Sequence, residues 1–223
     1  MRTDKVVTRR NTEKAIARIE SFSDSVFGFA ITLLVLDLLQ IPHPAIEQNL
    51  IQSFLTHWQS LLAFLVGFCT ILICWISHHH FFCYLIRYDA KFLWLNGILL
   101  LIITFTPLPT SIFAEFILRE NNVGLILFGL TYFAIACVAD AFWTYSYKKF
   151  LLDENEDETY YRSTLMIYRS STFYTLVAFI MCFVSNSIAI AMYVVLFSVF
   201  AFPHYFTLRL QRYLSKVKGT TKE

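Results

Sequence analysis

Three consecutive histidines, His78, His79 and His80, and three carboxylates, Asp24, Asp37 and Asp140, are the side chains of this sequence best placed to do chemistry, because each lies in or beside an apolar run. A histidine triplet suggests a metal site. On a helix, however, neighbouring residues diverge by about 100°, so three rings in a row cannot converge on one ion. The other histidines, His43, His57 and His204, add no further histidine box. Acyl transfer would want an aspartate four residues beyond a histidine, and those positions hold Phe82, Cys83 and Tyr84. The cysteines (Cys69, Cys74, Cys83, Cys137, Cys182) sit in apolar runs without C-x-x-C spacing and read as small buried hydrophobes. Neither a metal enzyme nor a cofactor is therefore expected. The carboxylates remain, and an unpaired one inside a membrane costs about 3 kcal/mol or more.

The elements that position these groups are membrane helices. The chain is 57% hydrophobic and 15% charged, where a soluble chain averages roughly 25% charged residues. A net charge of +2 is too small to suggest nucleic acid. No small-residue cleavage pattern follows the first apolar run, so a cleavable leader is not expected. Six segments approach the roughly 20 residues needed to cross a bilayer: 19–39, 58–83, 92–113, 123–147, 166–186 and 188–208. The last two are separated only by Ser185-Asn186-Ser187, and one long broken helix there would leave five spans. Charge decides for six. Lys and Arg are plentiful before the first segment, absent from 40–57, present at Arg87 and Lys91, reduced to Arg119, present again at Lys148, Lys149 and Arg162, absent before the sixth segment, and plentiful in the tail. That alternation satisfies the positive-inside rule with both termini cytoplasmic. The expected organisation is a cytoplasmic segment over 1–17, a six-helix domain over 18–210 and a basic tail over 211–223, with the acidic run 153–158 a solvated connector. No internal repeat of the first helix is found.

In that first helix, Ser21, Ser23, Asp24 and Ser25 occupy the cytoplasmic third, and the remainder is apolar apart from Thr32 and Asp37. At 100° per residue, Asp24 projects about 140° away from Phe29. Asp24 therefore faces one way, toward neighbouring helices, while Ser25, Phe29, Thr32, Leu33, Leu36 and Gln40 form a stripe facing lipid, another subunit or a pore.

The run Arg18-x-x-x-Phe22-Ser23-Asp24, followed by Phe27-Gly28-Phe29-Ala30-Ile31-Thr32-Leu33-Leu34-Val35-Leu36-Asp37, resembles the first helix of the transmembrane-protein-175 family of potassium channels. Trp75-Ile76-Ser77-His78-His79, Trp94-Leu95-Asn96 and Pro107-Leu108-Pro109 extend the resemblance through the first half of the chain. The resemblance implies an all-α six-helix bundle, a homotetramer in lipid, and a central potassium pore lined by the first helix. It carries the narrow apolar positions onto Phe29, Leu33 and Leu36, and a polar selectivity layer onto Thr32, whose structural role would be to bond back to the Gly28 carbonyl. Phe29 stands where relatives usually have Ile or Leu. Asp37 would form an outer acidic ring. Trp75, one of His78 and His79 (with i+4 spacing favouring His79), and Asn96 would bond to Ser23 and Asp24, with Arg18 as the counter-charge. Trp75 can only donate and a carboxylate only accept, which suits that pairing. No T-V-G-Y-G run is present and the glycines are scattered, so selectivity would come from helix side chains.

The expected function is a leak-type potassium channel gated by a hydrophobic constriction, located in a bacterial or archaeal cell membrane. The competing function is a proton- or cation-coupled secondary transporter using Asp24, Asp37, Asp140 and the histidines as a relay. A transporter should show Gly/Pro-broken helices at matching positions in two halves, and Pro107, Pro109 and Pro203 show no such symmetry.

Overall fold

A computed structural model describes residues 2–39, 58–116, 122–153 and 158–201, with side chains over 11–36, 58–115, 122–153 and 158–199. The connection 40–57, Arg119, most of the acidic run, the end of the sixth segment and the basic tail over 211–223 lie outside the described residues, as does the side chain of Asp37. The named elements of the described residues are all helices: α1 (Arg2–Leu39), α2 (Trp58–Phe82), α3 (Ala90–Phe105), α4 (Pro107–Phe116), α5 (Val123–Lys148), α6 (Glu158–Met181) and α7 (Asn186–Ala201). Taken with a continuous α3–α4, these form six helical units. Four are long and apolar enough to cross a membrane: the apolar part of α1, α2, α3 joined to α4, and α5.

Three expected boundaries move. Residues 2–17, expected as a separate polar segment, continue into the first span as one 38-residue helix. At 1.5 Å per residue such a helix is about 57 Å long, well beyond the roughly 30 Å hydrocarbon core. The third segment, expected as one helix over 92–113, is divided into two abutting helices at Thr106. Pro107 has no N–H to give the Ile103 carbonyl, and the Thr106 N–H takes that carbonyl at 3.2 Å instead. The fifth segment runs from Glu158 to Met181, not 166–186. Its polar first turn is held by Arg162 donating to Glu158 at 2.6 Å, and turn residues follow it from Cys182 before α7 begins.

α1 lies along α2 and contacts α3; α5 packs against α3, α4 and α6; α7 packs on α6. The buried apolar side chains form three successive groups. Phe81, Phe82, Phe92, Phe142 and Trp143 gather at one end. Phe27, Ala30, Leu34, Ile71 and Ile103 join α1 to α2 and α3. Leu125, Phe128, Ala178, Cys182 and Tyr193 close the other end. Two connections lock together beside the first group: Ile86 N–H donates to the Leu151 carbonyl at 2.9 Å, and Asp153 N–H to the Tyr84 carbonyl at 2.9 Å. Phe150, with φ of 54°, supplies the left-handed residue that turns the chain out of α5. All five cysteines are free. Cys182 is buried, but Cys83 is exposed, which corrects its expected burial: it falls just past the end of α2, where the chain leaves the packed face.

Candidate functional site

The two faces of α1 differ sharply. Ser23, Phe27, Ala30 and Leu34, spaced by three and four residues, are buried to 2% exposure or less. Such spacing keeps side chains on one stripe of a helix. Phe27, Ala30 and Leu34 pack with Ile71 of α2 and Leu99, Leu100 and Ile103 of α3. Gly67 makes the α1–α2 approach close, since a Cβ there would stand 2.9 Å from Leu34 Cδ2. On the other face, Ser25, Gly28, Phe29, Thr32, Leu33 and Leu36 are exposed in the single chain. Phe29 is 63% and Leu36 52% exposed. A Cβ added to Gly28 would meet nothing within 4 Å. Phe22 and Arg18 are exposed as well.

A polar layer crosses the bundle beneath the buried face. Trp75 Nε1 donates to Asp24 Oδ1 at 2.9 Å. Ser23 Oγ donates to the Ile19 carbonyl at 3.0 Å and accepts from Asn96 Nδ2 at 3.0 Å. Asn96 Oδ1 lies 2.9 Å from His78 Nε2. Because the Asn96 amide nitrogen is spent on Ser23, its oxygen must accept, and His78 Nε2 is the donor. Three helices are thereby joined through His78, Asn96 and Ser23, all 4% exposed or less.

The histidines take separate places. His78 is the buried member, tilted against Phe27 and Phe82 at ring-centroid distances of 5.2 and 4.7 Å. His79, which i+4 spacing favours as the partner in the layer, instead stacks on Trp75 at 5.7 Å and meets Glu20 at 3.0 Å. His80 lies edge-on to Tyr84. Among the described residues no group of three metal-ligating side chains occurs. Two expected contacts are replaced. Among the described residues no ion pair joins Arg18 to Asp24, whose described partner is Trp75; an arginine six positions away on the same helix does not share its face. Thr32 Oγ1 bonds back to the Phe29 carbonyl at 2.8 Å, not to that of Gly28, because the exposed rotamer reaches the i−3 carbonyl.

Glu20 and Asp89 went unnoticed in the sequence. Glu20 precedes Asp24 by one turn and so shares its face of α1, a spacing that could have flagged it. Asp89 caps α3 by accepting the Phe92 N–H at 2.8 Å and also accepts the Tyr145 hydroxyl at 2.5 Å. Together these hold its carboxyl below the ordinary 3.8, the Tyr145 bond contributing most. No local signal links Asp89 to Tyr145, on a helix 56 residues away. Asp140, in α5, accepts from Thr144 at 3.3 Å. Among the described residues no hydrogen bond joins Asp24 or Asp140 to a histidine.

Fold and site together define an all-helical integral membrane protein whose polar side chains tie helices to one another. The profile of the family described as endosomal/lysosomal potassium channel TMEM175 matches residues 18–107. A potassium channel of Chamaesiphon minutus is 36% identical over 187 residues, covering 82% of this chain and 92% of that one. One from Streptomyces collinus is 35% identical over 128 residues, covering 56% and 62%. The crystal structure of a lysosomal potassium-selective channel TMEM175 homolog from Chamaesiphon minutus superposes with a TM-score of 0.72 at 33% identity, over 88% of this chain and 98% of that one. The chain belongs to the TMEM175 family, whose members are ion channels and not enzymes.

Proposed function

We propose that the protein is a potassium channel in which four copies of the chain, with six spans each and both termini cytoplasmic, surround a central pore lined by α1. The observation that carries the reading is the uncovered ladder of Phe29, Thr32, Leu33 and Leu36 directly opposite the packed face of the same helix. The names of the similar bacterial proteins support potassium as the ion. Four apolar side chains converging on an axis leave a neck where water is unstable and an ion meets a large desolvation barrier. Phe29, Leu33 and Leu36 would form that gate, and a small tilt of α1 would open it without any ligand. Thr32 spends its proton on the Phe29 carbonyl, so its oxygen lone pairs remain to replace part of a potassium hydration shell. Asp37, one residue beyond Leu36, would concentrate cations at the outer mouth. The signature residues Arg18, Phe22, Ser23 and Asp24 would orient α1, with Ser23 and Asp24 acting through Trp75, His78 and Asn96.

The test is reconstitution in planar bilayers. Unitary currents reversing near the potassium potential, abolished by a charged thiol reagent in Leu36→Cys but not in Leu101→Cys, are expected. Leu101 is 68% exposed on α3 and serves as the control position. Flux without unitary steps would identify a coupled carrier. A Leu36→Cys protein whose new thiol reacts without any change in current would remove α1 from the pore.

A further inference from the structure

α5 and α6 run antiparallel along one another. The Thr172 hydroxyl donates to the Ala136 carbonyl at 3.1 Å, and the Trp143 and Tyr168 rings meet at 5.6 Å. Counted at about 100° per residue from Ala136 and Thr172, which touch at the contact, Asp140 is turned by about 40° and Arg169 by about 60°. Because the helices are antiparallel, turns of like sign carry both side chains to the same side of the pair. Leu130, Ala141 and Lys148 of α5 and Met166 and Phe173 of α6 share that side and are exposed. Ala139 and Ser171 turn the opposite way, into an internal cavity of about 120 Å³ that His78 also lines. Asp140 and Arg169 therefore flank one groove turned away from the bundle, at nearly the same depth.

That depth is inside the membrane. Asp140 stands about 12 Å before the Lys148 end of α5, a helix long and apolar enough to span. Arg169 is exposed there, and among the described residues no hydrogen bond or ion pair holds it. Side chains lean toward the N-terminus of their own helix, so Arg169 leans toward the Lys148 end and Asp140 away from it. The two charges are staggered, and Asp140 instead accepts from the Thr144 hydroxyl at 3.3 Å. A bare guanidinium facing hydrocarbon is costly, and a long side chain relieves the cost by reaching the interface. Its fork of donors matches a phosphate. At the mouth of the groove Lys148 adds a second exposed cation, whereas Arg162 is already held by Glu158 at 2.6 Å. Deeper in the membrane the same side is apolar: Leu130, Phe173 and Ile180 are 48%, 69% and 48% exposed.

We propose that the α5–α6 groove binds an anionic phospholipid of the phosphatidylglycerol type, its phosphate on Arg169, its headgroup beside Lys148 and its acyl chains along Leu130, Phe173 and Ile180. Charge selects the headgroup. Choline or ethanolamine would bring an ammonium against Lys148, and an uncharged glycerol does not. Asp140 sets the inner limit, since a phosphate pushed deeper meets a carboxylate. The proposal rests on the six-span reading only in taking α6 to be embedded beside α5; it needs neither the pore nor the tetramer.

The experiment extracts the full chain into micelles carrying equal amounts of phosphatidylglycerol and phosphatidylcholine and counts the retained lipids by native mass spectrometry. Phosphatidylglycerol is expected to be retained at least ten-fold over phosphatidylcholine. One basic residue near a membrane surface is worth about five-fold in binding. Arg169→Gln should lower the preference by at least that factor and Arg169→Lys by less, while Lys14→Gln, which removes an exposed cation of α1, should leave it unchanged. Ala141→Glu sets a carboxylate on the α5 rim of the groove; it should abolish the preference and keeps the test decisive if Arg169→Gln does not fold. Equal retention of the two lipids overturns the proposal, as does a preference that survives Arg169→Gln or Ala141→Glu, or one that falls as far in Lys14→Gln. Aqueous thiol labelling of Phe173→Cys separates the two readings. Ready labelling means that α6 is not embedded, and the six-span reading fails with the site; protection without a lipid preference overturns the site alone.

Discussion

Replacing Asn96 with leucine removes the side chain through which α1, α2 and α3 are joined. Leucine has nearly the same volume, so the variant creates little cavity and isolates the polar loss. Ser23 keeps its bond to the Ile19 carbonyl and loses only one it accepts. His78 fares worse: its Nδ1 already lacks a partner, and losing Asn96 strands Nε2 as well. Leaving a buried polar group unpaired costs about 1–3 kcal/mol. Against that, interhelical hydrogen bonds in membrane proteins average only about 0.6 kcal/mol in double-mutant cycles, so two bonds set a floor near ~1.2 kcal/mol. Asn96→Leu should therefore destabilise the protein by about 1–3 kcal/mol. Reversible unfolding by SDS in mixed micelles reads this quantity. Pairing it with Ser23→Ala should reveal a coupling of at least ~0.5 kcal/mol, because both substitutions delete the same bond. Stability within ~0.3 kcal/mol of the parent, together with zero coupling, would refute the view that this layer holds α1 in place.

Trp75→Phe retains the aromatic stack on His79 but leaves Asp24 without its indole donor; a loss of about 1.5–3 kcal/mol is expected, partly recovered in the Trp75→Phe/Asp24→Asn double variant, both read in the same unfolding assay. Gly124→Ala would set a Cβ 3.0 Å from the Ile112 carbonyl oxygen and the Phe113 Cα, backbone atoms of α4 that cannot swing aside; thermal unfolding should show a loss of about 1–3 kcal/mol. Because the folded-state value of Asp89 is depressed, its stabilising contribution is complete above the ordinary 3.8 and is lost as pH falls through the folded value. The stability gap between the parent and Asp89→Ala should accordingly be constant from pH 8 to pH 5 and narrow only below 3.8.

Much of the scaffold was legible because a bilayer demands long apolar runs, and such runs are local. α2 and α5 fall within a residue or so of the segments read from hydropathy. The two-sided character of α1 also follows from 3.6-residue periodicity alone, and the exposed positions Ser25, Phe29, Thr32, Leu33 and Leu36 match the stripe drawn from it. Helix ends were harder. Neither the polar start of α1 nor the first turn of α6 carries an apolar signal, yet both are helical, and an intrahelical ion pair such as Glu158–Arg162 is invisible to hydropathy.

The sequence by itself determined where the apolar cores of the helices lie, that α1 has two unlike faces, and that Trp75 and Asp24 are complementary as donor and acceptor. It could not decide between His78 and His79, because both lie within one turn of Trp75 and helical spacing treats them almost alike. Tertiary structure made that choice. His78 is turned inward beside Phe27 and Phe82, where only Asn96 can meet its Nε2, whereas His79 reaches the edge of α1 and Glu20. The pairing of Asp89 with Tyr145 and the void beside His78 arise the same way. Each depends on how rigid helices from distant parts of the chain come to lie against one another, and hydrogen bonds between them form only once packing has fixed those distances.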